Sequence, residues 1–328
     1  MSEPLITLEH VTRTFTVKGQ TIKAVDDVNL TIPEGEMLCL VGESGCGKTT
    51  TGKMIAGLLP TSTGRILYRG KDIATIAGND RKAYRLGVQM VHQDPYASLN
   101  PTQTIYDILA APLQHHGFTR GERETKHRIC KLLEIVDLTP PDDFLEKYPH
   151  QLSGGQRQRV SVARALTVLP TFIVADEAVS MVDVSIRISL LNMFARLKDE
   201  MGVGVLLITH DLALAKYFAW EGRIGVMYLG RLVEIGPARE VVEHPQHPYT
   251  QVLLSAIPEA DPEATRAKQP IQLRSADMPS LLRLPSGCTF HPRCPVFAGE
   301  VCEKIVPPLK KADWGSEAAC HLVHAHES

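Results

Sequence analysis

The sequence predicts an α/β fold built on a mainly parallel sheet covered by helices on both faces. Short apolar runs rich in β-branched residues alternate with segments of helical spacing, and one such run leads directly into a glycine-rich loop. Three chemically loaded loops, after Val41, Ala175 and Ile208, also follow apolar runs, where a parallel sheet gathers its ligands.

The elements follow in order. Leu5 to Leu8 and Val25 to Ile32 read as strands, and Met37 to Val41 as a buried strand ending at the loop. Lys48 to Leu59 is the helix that loop feeds. Gly64 to Tyr68 and Val88 to Val91 read as further strands, while Thr104 to His115 and Glu122 to Val136 have helical spacing. Ser153 opens a helix reaching about Val168. Thr171 to Ala175 is a buried strand ending at Asp176, Val184 to Met201 is a long amphipathic helix stopped by Gly202, and Val203 to Ile208 is the next strand. From about Pro258 the composition turns to Pro, Ala, Glu and Arg with little periodicity, which reads as a linker. A small cysteine-bearing segment follows from about Leu284, so the expected units are 1–256 and 257–328.

A chain of 328 residues has room for a large domain and an appendage. Lys and Arg number 35 against 37 Asp and Glu, a net charge of -2, which supplies no basic field for wrapping nucleic acid; no nucleic-acid partner is expected. The amino terminus lacks the basic and apolar regions of a secretory signal, and no run approaches ~18 uncharged apolar residues. The chain is therefore expected to be cytoplasmic and not to span a bilayer, so any membrane attachment must come through another subunit.

The loop Gly42-Glu43-Ser44-Gly45-Cys46-Gly47-Lys48-Thr49 has the form of a phosphate cradle. Its glycines allow backbone N–H groups to turn inward without a side chain in the way. Lys48 would sit near the β and γ phosphates, Thr49 would place its hydroxyl on Mg²⁺, and the helix N-terminus would add positive potential. The bland alternative is a fortuitous glycine turn, which the flanking strand and helix disfavour. Ile173-Val174-Ala175-Asp176-Glu177 ends an apolar strand in two carboxylates: Asp176 to hold Mg²⁺ and Glu177 to polarise an attacking water. Elsewhere Asp-Glu would simply begin a solvated turn.

With these residues in place, the chain resembles the ATP-binding cassette (ABC) ATPases. Leu152-Ser153-Gly154-Gly155-Gln156 is similar to their signature, Gln93 to the Q-loop glutamine, Ser180 to Asp183 to the D-loop, and His210 to the switch histidine. The resemblance implies a RecA-like core with an antiparallel β subdomain and a helical subdomain at about 94–168. ATP would be bound by Phe15, stacked on adenine, and by Gly42 through Thr50, with Mg²⁺ held by Thr49, Gln93 and Asp176. Glu177 and His210 would be catalytic. Ser153 is a good N-cap, and its helix N-terminus attracts anions; in this family the signature faces the ATP of an opposing, head-to-tail cassette. One departure stands out, since Ala178, Val179, Met181 and Val182 replace the residues usual in the family's Asp-Glu-Pro-Thr-Ser-Ala-Leu-Asp stretch. Both carboxylates and Asp183 remain, so hydrolysis is still expected; an altered rigidity of the turn or an altered contact with the opposing cassette is the expected consequence.

Two further stretches resemble the oligopeptide and dipeptide importer branch: His92 to Tyr96 with Ser98 to Pro101, and His247-Pro248-Tyr249-Thr250 with Leu253 to Pro258. That branch implies two ATPases, usually paralogues, beneath two membrane permease subunits served by an extracytoplasmic solute-binding protein. Of seven cysteines, Cys288, Cys294, Cys302 and Cys320 crowd the C-terminal end. They resemble the branch's [4Fe-4S] extension; a tetrahedral zinc site and unligated thiols are the alternatives, because four cysteines suit either metal. Peptides are the expected cargo, with an oligosaccharide or glycoside, or nickel, as alternatives. From other classes, a soluble ABC ATPase of DNA repair or translation and an iron-sulfur redox sensor share some of these features. The first usually carries fused cassettes or a long coiled-coil insertion, absent here, and the second fits poorly because the cysteines occupy only a short terminal segment.

Overall fold

The computed structural model describes residues 4–17, 19–180, 182–257 and 271–323. The expected linker from Pro258 and Met181 of the D-loop lie wholly or largely outside the described residues.

The main sheet has eight strands. Five are parallel: β3 (Met37–Val41), β6 (Val88–Val91), β7 (Phe172–Asp176), β8 (Gly204–Ile208) and β9 (Arg223–Tyr228), in the spatial order β9-β3-β8-β7-β6. Period-two alternation divides them cleanly. Cys39, Val41, Ile173, Ala175, Val205 and Leu207 face one core, whereas Leu38, Leu40, Phe172, Val174, Leu206 and Ile208 face the other. Burying each such aliphatic side chain contributes about 1.5–3 kcal/mol, so a one-residue slip would exchange the lining of both cores at once.

The first core joins the sheet to α4 (Ile105–His115), α5 (Glu122–Ile135), α7 (Gly154–Leu166) and α8 (Val184–Met201). In the second, α1 (Lys48–Ile55) lies close against the sheet. A Cβ on Gly52 would stand 2.6 Å from Ile208 Cδ1 and would force that side chain to shift. Beyond α1, an antiparallel four-stranded sheet of β1 (Ile6–Val17), β2 (Gln20–Ile32), β4 (Thr63–Tyr68) and β5 (Lys71–Asp72) covers the same face.

Several expected boundaries shift. The first two strands are much longer than Leu5–Leu8 and Val25–Ile32, because register breaks along the β1–β2 pair, beside His10 and Asp27 at positive φ, interrupt the alternation that would reveal them. The helix α1 stops at Ile55 instead of Leu59, where Gly57 takes φ +67° and ends it. The mainly parallel expectation also needs widening. The β9 strand turns at Leu229-Gly230, both at positive φ, into antiparallel β10 (Arg231–Pro237), and this tight hairpin escaped the sequence reading. Two short strands from the C-terminal segment, β11 (Lys310–Lys311) and β12 (Glu317–Ala318), then extend the sheet past β10.

That junction buries unusual polar groups. Glu234 on β10 is fully buried and accepts from the N–H groups of Gln246 and His247, at 2.8 and 2.9 Å. His247, also buried, caps the helix α11 (Pro248–Ser255) by accepting the Tyr249 N–H at 3.0 Å on Nδ1. Burial pushes this imidazole down to about 3 from 6.5. The folded state therefore prefers neutral histidine: the associated stability is complete above pH 6.5 and drains away as pH falls towards 3, at about 1.4 kcal/mol per unit. Thermal unfolding is expected to show about 2 kcal/mol less stability at pH 5 than at pH 7 from this residue. His247→Asn, which keeps a capping acceptor, should flatten that difference; equal slopes in both proteins would refute the assignment.

Candidate functional site

The loops at the carboxyl ends of β3, β7 and β8 converge. After β3 the chain enters the phosphate-type loop, whose shape depends on glycine at two close approaches. A Cβ on Gly42 would lie 2.2 Å from the Met227 carbonyl oxygen, and one on Gly47, at φ +105°, would lie 2.3 Å from that of Ala24. Backbone atoms cannot yield as side chains do, so both positions exclude larger residues. Gly47 caps α1 in the left-handed conformation, and Ser44 and Gly45 are exposed at the loop tip with Thr50 partly exposed behind them.

Lys48 is buried, and its Nζ donates to Gly42 O at 2.6 Å and Glu43 O at 3.0 Å, with Cys46 Sγ 3.6 Å away. The ammonium thus lies across the loop's own backbone, where phosphate oxygens would compete for its donors. Cys46 is packed beneath, and burial raises its thiol well above the ordinary range, which leaves it neutral.

Thr49 Oγ1 donates to Asp176 Oδ1 at 2.8 Å, joining the first loop to the second. Burial raises the Asp176 carboxyl, opposed by the Thr49 hydrogen bond and increased by neighbouring Glu177. A desolvated carboxylate beside a hydroxyl is the hard-oxygen pair that a divalent cation stabilises, so this donor set fits Mg²⁺.

Glu177 follows at φ +45°, held in a tight turn in which Ser180 N–H and Oγ both donate to its carbonyl, at 3.1 and 2.7 Å. Its carboxylate accepts from Gln93 Nε2 at 2.8 Å and lies 3.4 Å from His210 Nδ1. Gln93, expected on the metal, here meets Glu177. His210 is exposed after β8, and Asp211 caps α9 (Leu212–Phe218) beside it. At the departures Ala178 and Val179, both side chains are buried in the first core.

The signature stands apart. Ser153 Oγ accepts from Gln156 N–H at 3.3 Å while Gln156 Oε1 accepts from Ser153 N–H at 3.0 Å, a reciprocal cap that leaves Ser153 exposed and Leu152 buried. Gly154 is partly exposed, and a Cβ on Gly155 would meet Ile186 at 2.7 Å. Among the described residues, no hydrogen bond or ion pair joins Leu152–Gln156 to Gly42–Thr49. Asp183 precedes α8 exposed, with no side-chain cap bond. Phe15 pairs with Ile22 in the hairpin that carries Ala24, and the Arg13 guanidinium lies 4.8 Å from its half-exposed ring.

The C-terminal cysteines gather without completing a metal set. Cys288 N–H donates to Cys302 O at 2.8 Å, and burial pushes the Cys288 and Cys294 thiols up to about 11. Neighbouring thiols, Cys320 and Cys302 foremost, add to both shifts. Their chemistry suits a thiolate-bound metal. Nevertheless, among the described residues no three His, Cys, Asp or Glu side chains converge closely enough to hold one, so the expected [4Fe-4S] ligand set is not formed in this structure.

Sequence reasoning missed Tyr249, Tyr228 and Arg293 as neighbours of the phosphate-type loop. Tyr249 Oη accepts the Glu43 N–H at 3.0 Å, and Arg293 forms an ion pair with the Glu43 carboxylate. Tyr249 and Arg293 lie in the stretches beginning His247-Pro248 and Gly287-Cys288, and Tyr228 ends the apolar strand β9; nothing in those sequences signals a contact with the loop.

Residues 25–180 match the family described as ABC transporter, and residues 233–302 match the oligopeptide/dipeptide transporter C-terminal region. The chain is 40% identical to the "Probable peptide ABC transporter ATP-binding protein y4tS" of Sinorhizobium fredii, over 98% of this chain and 91% of that protein. It is 42% identical to the oligopeptide transport ATP-binding protein AppF of Bacillus subtilis, over 94% and 92%. The dimeric structure of the bacterial ABC transporter cassette MJ0796 superposes with a TM-score of 0.63 at 29% identity, covering 71% of this chain and 99% of that one. No helix among the described residues is long and apolar enough to cross a membrane.

Proposed function

The chain belongs to the ABC transporter family, among its peptide-import ATP-binding proteins, and from that premise we propose how its residues power uptake. It is the ATP-hydrolysing subunit of a peptide importer. The observation that carries the mechanism is the junction of Thr49 with Asp176 and of Glu177 with Gln93 and His210, at the ends of adjacent parallel strands. Phosphate oxygens are taken by the loop Gly42–Thr50 and by Lys48, with Phe15 against the adenine. Thr49 and Asp176, with Gln93 reaching in, would hold Mg²⁺, which neutralises charge on the β and γ phosphates.

Glu177 orients a water and accepts its proton as the water oxygen bonds to the γ-phosphorus and the bond to the bridging oxygen breaks, releasing ADP and phosphate. His210 stabilises charge on the γ-phosphoryl group. Because Gln93 bonds Glu177, a shift of the Q-loop by a membrane subunit would move the catalytic carboxylate, which links transport to hydrolysis.

The second site element faces outward. Ser153 to Gln156 and Asp183 serve the nucleotide of an opposing ATPase, in a head-to-tail pair whose partner is a paralogue. Two permease subunits, fed by an extracytoplasmic binding protein, anchor the pair at the cytoplasmic face of the membrane. We take 1–256 as the cassette, with its helical subdomain near 94–168, and 257–328 as the extension. Four cysteines crowded in sequence, in a segment with little regular structure, support a structural [4Fe-4S] cluster assembled there on metal binding, with zinc as the alternative.

Purification of the tagged chain from membranes under anaerobic conditions tests both proposals. Two polytopic proteins are expected to accompany it, and the extension should contribute visible absorption with matching iron and sulfide. A chain that purifies alone from the soluble fraction would sink the importer assembly, and colourless protein containing zinc would sink the cluster.

A further inference from the structure

The phosphate loop is gripped from the far end of the chain. Arg293, its side chain only 8% exposed, donates Nη1 to Glu43 Oε2 at 2.8 Å and Nη2 to Glu43 Oε1 at 3.0 Å, a two-pronged pair across 250 residues of sequence. The same loop residue is held at its backbone, where Glu43 N–H donates to Tyr249 Oη, while Glu43 O accepts from Lys48. Arg293 is itself fixed. Its guanidinium lies 5.9 Å from the Tyr228 ring, with Nη1 3.4 Å from the hydroxyl, and its carbonyl accepts from Arg274 N–H at 3.2 Å. Tyr228 in turn packs with Tyr249 and Phe290, the three ring centroids 4.6 to 5.3 Å apart.

A loop that binds phosphate through backbone N–H groups depends on those groups being aimed before the ligand arrives. Glu43 is the second residue of this loop, and its carboxylate is paired with Arg293 of the C-terminal segment. A planar fork on a carboxylate fixes both distance and orientation, which a lone ammonium cannot do. We propose that Arg293 is a positioning residue of the ATP site: its fork on Glu43 presets the loop for phosphate, so the C-terminal segment sets nucleotide affinity from outside the cassette. The inference rests on reading Gly42 to Thr49 as the ATP cradle.

The test measures binding of a fluorescent ATP analogue with Mg²⁺ to the full-length chain, alongside thermal unfolding. Arg293→Ala and Glu43→Gln should each weaken binding about tenfold, and Arg293→Lys, which keeps charge without the fork, by roughly threefold. The double variant Glu43→Gln/Arg293→Ala should bind no more weakly than its worse single parent, because both changes break one contact. If Arg293→Ala does not fold, Arg293→Lys and Glu43→Gln decide. Affinities within twofold of wild type for these two, with only the melting temperature lowered, would show a structural tie and overturn the proposal; so would losses that multiply in the double variant. The ATP-cradle reading fails separately, and the inference with it, if wild-type chain does not bind or Lys48→Ala binds equally well.

Discussion

Glu177→Gln is expected to lower steady-state ATP hydrolysis by the assembled transporter by about 10²–10⁴-fold, the range a positioned general base contributes. That corresponds to about 3–5.5 kcal/mol on the barrier. The substitution nearly preserves shape, and a glutamine oxygen can still accept from Gln93 Nε2, now 2.8 Å from the carboxylate. What disappears is the basic carboxylate facing His210. Nucleotide binding should stay within a few-fold, because neither the loop nor Lys48 is touched. Phosphate release and analogue binding on the same preparation separate the two effects. A rate within tenfold of wild type would assign water positioning to another group.

Lys48→Ala should act in the opposite way, through affinity. The ammonium is buried and supplies charge-assisted bonds, each worth about 1.5–3 kcal/mol, so losing two to phosphate should weaken ATP binding about 10²–10⁴-fold. The carbonyls of Gly42 and Glu43 also lose their donor. Some loss of thermal stability should therefore accompany the loss of affinity. Titration with Mg-ATP gives the answer directly, and a dissociation constant within threefold of wild type would remove Lys48 from the phosphate site.

These two residues show why the candidate site could be read from the sequence alone. Lys48 and Glu177 each end a local pattern, an apolar strand running into a specialised loop, and local patterns survive in a linear reading. The same logic located Asp176, His210 and the Ser153 cap, and it gave the bounds of α8 residue for residue. Longer-range devices were not legible. The bulged β1–β2 pair breaks its own alternation, and the β9–β10 hairpin turns on Leu229, a residue with no turn signature.

The contact between Gln93 and Glu177 joins positions 84 apart, and that between Arg293 and Glu43 joins positions 250 apart. Neither spacing has a period to detect. The turn after Glu177 is a mixed case. Its departure from the family's pattern is visible in the sequence, whereas the burial of Ala178 and Val179 is visible only in the structure.

The short strands β11 and β12 have a consequence for how the protein can be divided. They cover β10, and Ala319 N–H reaches Val233 O at 2.8 Å, so the rim of the main sheet is completed by chain from beyond the linker. An unpaired strand edge invites pairing with whatever strand it meets. A cassette cut at residue 256 would expose such an edge along β10, beside the buried Glu234 and without Arg293 to hold Glu43. The boundary visible in composition is therefore not a seam along which the folded protein comes apart.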